Sequence, residues 1–184
     1  MALRIKSHWN NEEVERSLPE IAGALAYIAW RIAMDKAITL HCERFVYRDD
    51  AQRLAVIQEY LIFLIQIADR LATDRLETED RRVLVTALAR KLIEHLQDNG
   101  QDLLGPGDYG SPFIERLNVR SGEYADYHLT AEGPSYPFLR HLGFEIQTLM
   151  GEESENRWII DQVMDKDGYE AYQTFARAFA NLFA

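Results

Sequence analysis

Residues 60–68 read YLIFLIQIA, an apolar run broken by a single glutamine, with no position left over for a solvent face at helical spacing. An ordinary helix needs an apolar stripe only toward its neighbours, so a segment apolar on every side has to be surrounded by other helices. Just upstream, Asp49 and Gln52 form a start signal for this helix, a short acceptor side chain followed three residues later by a glutamine. The chain therefore has a central stave, and its flanks must supply the staves around it.

The flanks read as helix. SLPE at 17–20 has Ser at a cap position, Pro in the first turn and Glu three residues after the Ser, which predicts a long helix to about Phe45. Its stripe Tyr27, Trp30, Met34, Ile38, His41 and Phe45 recurs at helical spacing. Thr78 with Glu79 and Asp80 starts a third helix, with Val85, Leu88, Leu92 and Leu96 on one face and a stop at Asn99-Gly100. After Ser135-Tyr-Pro a further helix carries Leu139, Leu142, Ile146 and Leu149 and stops at Gly151. A shorter one runs through Trp158, Ile159 and Val163, and the last begins near Tyr169 with Tyr172, Phe175, Phe179, Leu182 and Phe183 on one stripe.

No segment alternates convincingly at strand period, and no repeat is visible. The expected fold is all-α: one domain over 1–184, a helical bundle of about six main helices with a Gly/Pro-rich crossing segment in its middle. That crossing spans about 100–137 and holds six of the ten glycines and four of the five prolines. Ser121-Gly-Glu reads as the start of a short helical piece within it, ending near Ala131.

At 184 residues, with 47% hydrophobic and 27% charged residues, the chain has the make-up of a globular domain able to bury its own core. The opening MALRIKSHWNNEEVE turns polar too soon for a leader, and the longest apolar stretches are too short or too interrupted to span a bilayer. One cysteine, Cys42, permits no internal disulfide and no CxxC motif, which fits a cytoplasmic protein. The formal charge is −10, and residues 101–184 hold 6 Lys+Arg against 14 Asp+Glu. Such a surface repels phosphate backbones, so neither nucleic acid nor membrane is an expected partner.

Several motifs invite chemistry. GPGDYG at 105–110 has the glycine spacing of a dinucleotide loop, but that loop works by carrying a strand into the N-terminus of a helix. Here helix and turn precede it and further loop is expected after it, so it reads as a corner. DKDGYE at 165–170 lacks oxygen ligands at both ends of a calcium loop and reads as an interhelical turn. His41 and Cys42, adjacent on a helix, point about 100° apart and cannot form a nucleophile–base pair. They read as a core histidine and a small buried thiol.

No Glu-x-x-His pair of the di-metal kind is present; His141 and Glu145 stand four apart and Glu123, Asp126 and His128 lie close in sequence, so a mononuclear site could be built from them, but a solvated polar face accounts for the same residues, and no metal or cofactor is assigned. Asp35 and Asp69 sit where periodicity places partial burial. Arg31 or Arg70 would pair with them in a structural role, and a perturbed acid pair in a cleft would be the catalytic alternative.

The crossing segment concentrates aromatics, and Tyr109, Tyr124, Tyr127 and His128 are the candidate binding residues, presented beside Glu123 and Asp126. The other reading of these rings is that they lid the core. An acidic, tyrosine-rich rim suits a basic segment of a protein partner. The leading expectation is a protein-binding assembly factor or regulator. A homodimer through the terminal stripe Phe175, Phe179 and Phe183 is a further expectation, and that stripe equally suits the last stave of the bundle. The alternative is an enzyme or small-molecule binder using an interhelical pocket near Asp35, His41 and Asp69. The run from the apolar helix through HLQDNGQDLLGPGDYG to SGEYADYHL resembles in general layout the bacterial ubiquinol–cytochrome c chaperone-like helical proteins. The resemblance implies an assembly role and transfers no residues.

Overall fold

The computed structural model describes residues 16–43, 45–151 and 156–184; the opening stretch read above for a leader lies outside them. The order is α1 (Leu18–Cys42), α2 (Asp50–Thr73), α3 (Thr78–Leu104), α4 (Gly110–Glu123), a two-residue antiparallel pair β1 (Leu129–Thr130) and β2 (Gly133–Pro134), α5 (Tyr136–Met150), α6 (Ile159–Gln162) and α7 (Gly168–Leu182). The architecture is an all-α helical bundle. Among the described residues no helix is long and apolar enough to cross a membrane.

The run at 60–68 is the centre of α2, and α1, α3, α4, α5 and α7 all pack against that helix. Leu61, Ile62, Phe63, Leu64 and Ile67 are fully enclosed, each such side chain contributing about 1.5–3 kcal/mol by burial. The start signals of α1 and α2 form. Ser17 donates from its backbone N–H (2.9 Å) and its Oγ (2.7 Å) to Glu20, and Asp49 Oδ1 accepts from the Gln52 N–H at 2.7 Å. The stop at Gly151 takes a positive φ of 84°.

α1 differs from its reading. Trp30 and Phe45 of the expected stripe are buried, but the rest of the inward face is Ile21, Ala22, Leu25, Ala26, Ala29, Ile32, Ala33, Ala37 and Leu40, whose alanines let neighbouring backbones come close. Tyr27, Met34, Ile38, His41 and Cys42 face outward. Both faces of the helix are apolar, so periodicity alone picked the larger residues. The histidine and thiol read as buried are therefore exposed.

The crossing segment is more helical than expected. α3 continues past Gly100 to Leu104 and ends at Gly105 with φ 90°. Gly100 is needed for space rather than for a turn, since a Cβ there would lie 2.5 Å from Cγ of Tyr109. α4 then occupies residues expected to be loop, with Pro112 in its first turn, where the missing N–H costs nothing. Ser121 belongs to the end of that helix, not the start of one.

Asp165 to Gly168 is likewise no turn. A π-helical stretch, Val163–Asp167, joins α6 to α7 without a break, and Gly168 has helical φ. The Phe175, Phe179 and Phe183 stripe of α7 packs into the core, with Phe175 and Phe179 fully buried. It serves as a stave of the bundle, with Phe183 half-buried at its end.

Candidate functional site

GPGDYG is a corner between two helices, and its donors are committed. Gln97 Oε1 accepts from the N–H groups of Tyr109 (2.9 Å) and Gly110 (3.1 Å), Asp108 Oδ1 accepts from Ser111 N–H (3.0 Å), and Gln97 Nε2 donates to Gly107 O. The first N–H groups of α4 are thus used internally, which removes the feature a phosphate cradle requires. Tyr109, expected as a binding residue, is spent on this corner: its ring covers Gly100 and its hydroxyl donates to Gly105 O at 2.8 Å.

The chemistry concentrates instead where α2, α4 and α5 meet. Glu59 of α2 is 0% exposed and would be costly to bury alone. Arg116 and Arg120, one turn apart on α4, face it together. Arg120 donates to both oxygens of Glu59, from Nε at 3.1 Å and from Nη2 at 3.2 Å, while Arg116 Nε stands 3.7 Å away. Arg120 also donates to Glu123 at 2.7 Å and to Glu145 of α5. Burial opposes its charge, but its hydrogen bonds to Glu59 and Glu123 outweigh that and hold the guanidinium protonated above its ordinary range. Burial raises the carboxyl of Glu145, opposed by Arg120.

His141 shares a face of α5 with Glu145, one turn away. Its Nε2 lies 3.3 Å from Glu123 Oε2, within ion-pair reach but off the line of a hydrogen bond, and this enclosed nitrogen has no hydrogen-bond partner among the described residues. Against the imidazole packs the ring of Tyr124, edge-on with centroids 4.7 Å apart. Tyr124, expected as a contact residue, is 0% exposed; it joins Phe138 and Tyr127 in the core, and its hydroxyl has no hydrogen-bond partner among the described residues. Burial, then the negative charge of Glu59, pushes this phenol well above its ordinary value.

Outside His141 lies a groove of about 480 Å³, lined by Tyr127, Tyr136, Pro137, Arg140, His141 and Phe144. Tyr136 is 67% exposed and Phe144 50% exposed. Residues 136, 140 and 144 repeat at one-turn intervals, so Tyr136, Arg140 and Phe144 form a stripe along α5. Of the residues expected to bind, Tyr127 reaches this groove half-buried, while His128 is exposed beyond it. Arg140 makes no ion pair or hydrogen bond with a described residue. Phe144 lies on the side of α5 opposite the Leu142, Ile146 and Leu149 stripe and Tyr136 at its margin, so their exposure follows from helical spacing, but nothing in the sequence set the two apart as a site.

Asp35, His41 and Asp69 do not share a pocket. Asp35 is exposed, whereas the neighbouring Lys36 is the buried charge, bonded to Glu170 at 2.5 Å and 3.8 Å from Asp167. Asp69 is half-buried and held by Arg70 at 2.9 Å, as expected, and also by Arg81 at 2.7 Å. It lines a separate cleft of about 820 Å³ between α2, α3 and α4, together with Arg70, Arg81 and Arg90. His41 lines a third depression beside Tyr47 and Asp50.

No family model matches the chain, and no curated protein or solved structure matches it.

Proposed function

We propose that the protein is a binding module for another protein, an assembly factor or regulator, which docks a segment of its partner in the α5 groove. The observation that carries this reading is the exposed Tyr136–Arg140–Phe144 stripe with Tyr127 beside it. Aromatic and arginine side chains dominate the energetics of protein interfaces, because they offer large contact area for little entropy lost. The groove rests on a frame cross-linked by Arg120, so little ordering cost is left for the moment of binding. The net charge of −10 favours a partner segment that is basic overall. The Arg140 guanidinium, which pairs with none of the described residues, would donate to that segment's carbonyl groups. A cytoplasmic setting belongs to this reading and is consistent with the lone, exposed Cys42.

The test is site-specific photo-crosslinking in cells, with the photoreactive residue at Tyr136 and, as a control on another exposed surface, at Val119. The expected result is one adduct specific to position 136, lost with Phe144→Ala and mapping to a net-basic segment. The same adducts at both positions, or an acidic segment, would overturn the reading.

One observation favours a second reading, a binder of small anionic molecules. The 820 Å³ cleft carries Arg70, Arg81 and Arg90 with only Asp69 to balance them, a size and polarity suited to an organic anion. Equilibrium dialysis against phosphorylated and carboxylated metabolites, with Arg90→Ala as the control, tests it.

A further inference from the structure

His141 and Glu145 extend from the same face of α5, and Glu123 meets them from the end of α4. One donor atom from each lies within 4.8 Å of the others. A tetrahedral ion with bonds of about 2.0–2.2 Å holds its ligand atoms about 3.4 Å apart, so modest side-chain rotation closes the set. His141 Nε2 and Glu123 Oε2 already stand at 3.3 Å. Arg120 engages only Oε2 of Glu123 and Oε2 of Glu145, which leaves Oε1 of each uncommitted among the described contacts. Its bidentate contact with Glu59 gives the guanidinium a place to stay if those two carboxylates turn.

An acidic cluster with an arginine inside it explains the carboxylates without any ion, but it leaves two features unexplained. Among the described residues the hydroxyl of fully buried Tyr124 has no hydrogen-bond partner, and the enclosed Nε2 of His141 has none beyond its ion-pair approach to Glu123. Burying such groups unsatisfied costs on the order of 1–3 kcal/mol each. The Tyr124 ring packs edge-on against His141, and its oxygen feels the charges of Glu59, Arg120, Glu145 and Glu123. An ion bound by the imidazole nitrogen would use one orphan, and the phenol could donate to a ligand oxygen or a bound water and so use the other. Such a donor beside the first ligands is the usual support of a metal site.

We propose that Glu123, His141 and Glu145 bind one divalent first-row transition cation, with the Tyr124 hydroxyl hydrogen-bonded to its ligand shell. The nitrogen donor and the low ligand count select this class over calcium or magnesium. The assignment is independent of the docking reading, since it concerns the floor beneath the groove and not its rim.

Zinc is the probe for the test. The full chain, stripped with a chelator, is titrated with Zn²⁺ by calorimetry, with circular dichroism checking the fold of each variant. The expected result is one ion per chain, with affinity at least tenfold weaker in His141→Ala and Glu145→Gln and about tenfold weaker in Tyr124→Phe. His128→Ala, an exposed histidine outside the cluster, leaves affinity unchanged. Glu123 is partly exposed, so Glu123→Gln is the variant to use should a buried one unfold, and it too weakens binding. Absence of Zn²⁺ binding at millimolar concentration, or stoichiometric binding indifferent to His141→Ala and Glu123→Gln, would overturn the assignment.

Discussion

Arg120 clasps the fully buried Glu59 through two hydrogen bonds, at 3.1 and 3.2 Å, and so locks α4 onto the middle of α2. Removing one partner of a buried pair leaves an uncompensated charge, whereas replacing both with apolar groups is often tolerated. Arg120→Leu should therefore cost about 3–5 kcal/mol in urea unfolding. The double variant Glu59→Leu/Arg120→Leu should recover a substantial part of that loss. If the double variant were less stable than the single one, the pair would be a net source of stability rather than a matched charge.

The phenols of Tyr60 and Tyr124 are held well above their ordinary values, first by burial and then by the negative charges of Asp167 and Glu59 respectively. A folded-state value above the unfolded one means a stabilising contribution that is fully present below the unfolded value, near pH 10. It is lost as pH rises from there toward the folded values. Unfolding free energy should accordingly fall above about pH 10, and Tyr60→Phe/Tyr124→Phe should flatten that fall. Neither hydroxyl has a hydrogen-bond partner among the described residues, so the same variant at pH 7 and without added metal should be no less stable than wild type.

Two glycines in helices should respond oppositely to alanine. At Gly100 a Cβ would collide with the Tyr109 ring, and Gly100→Ala should destabilise by about 1–3 kcal/mol through overpacking. At Gly23, in α1, a Cβ would meet nothing within 4 Å, and Gly23→Ala should stabilise by about 0.5–1 kcal/mol. Thermal melts of the two variants check the signs.

Asn156, 2% exposed, donates to Val46 O (3.2 Å) and Met150 O (3.0 Å) and accepts from Val46 N–H (3.0 Å). It ties the α1–α2 connection to the end of α5. Asn156→Ala leaves those backbone groups without their side-chain partner and should cost at least about 2 kcal/mol. Hydrogen exchange at the Val46 amide should accelerate in the same variant.

Local signals were sufficient wherever a residue's role is met by its sequence neighbours. Ser17 and Glu20, Asp49 and Gln52, and Gly151 each do in the structure what their spacing implied. Gly100 failed that logic because its reason lies in the ring of Tyr109, across a corner. Tyr124 and Tyr109 read as contact residues because loop aromatics commonly are, yet one completes the core and the other staples the turn. His141 and Glu145 were legible as neighbours on a helix, but Glu123 came from another element and Glu59 and Arg120 gave no motif at all.

The chain's own pattern determined that it is a helical bundle built around α2, because periodicity, caps and an all-round apolar run are properties of consecutive residues. Tertiary packing alone decided which face of α1 turns inward, that α4 forms inside a glycine-rich stretch, and that carboxylates from three helices converge on Arg120. Those outcomes depend on which surfaces fit one another and on where a buried charge finds its partner. Both are relations between residues distant in sequence, such as the 61 positions separating Glu59 from Arg120.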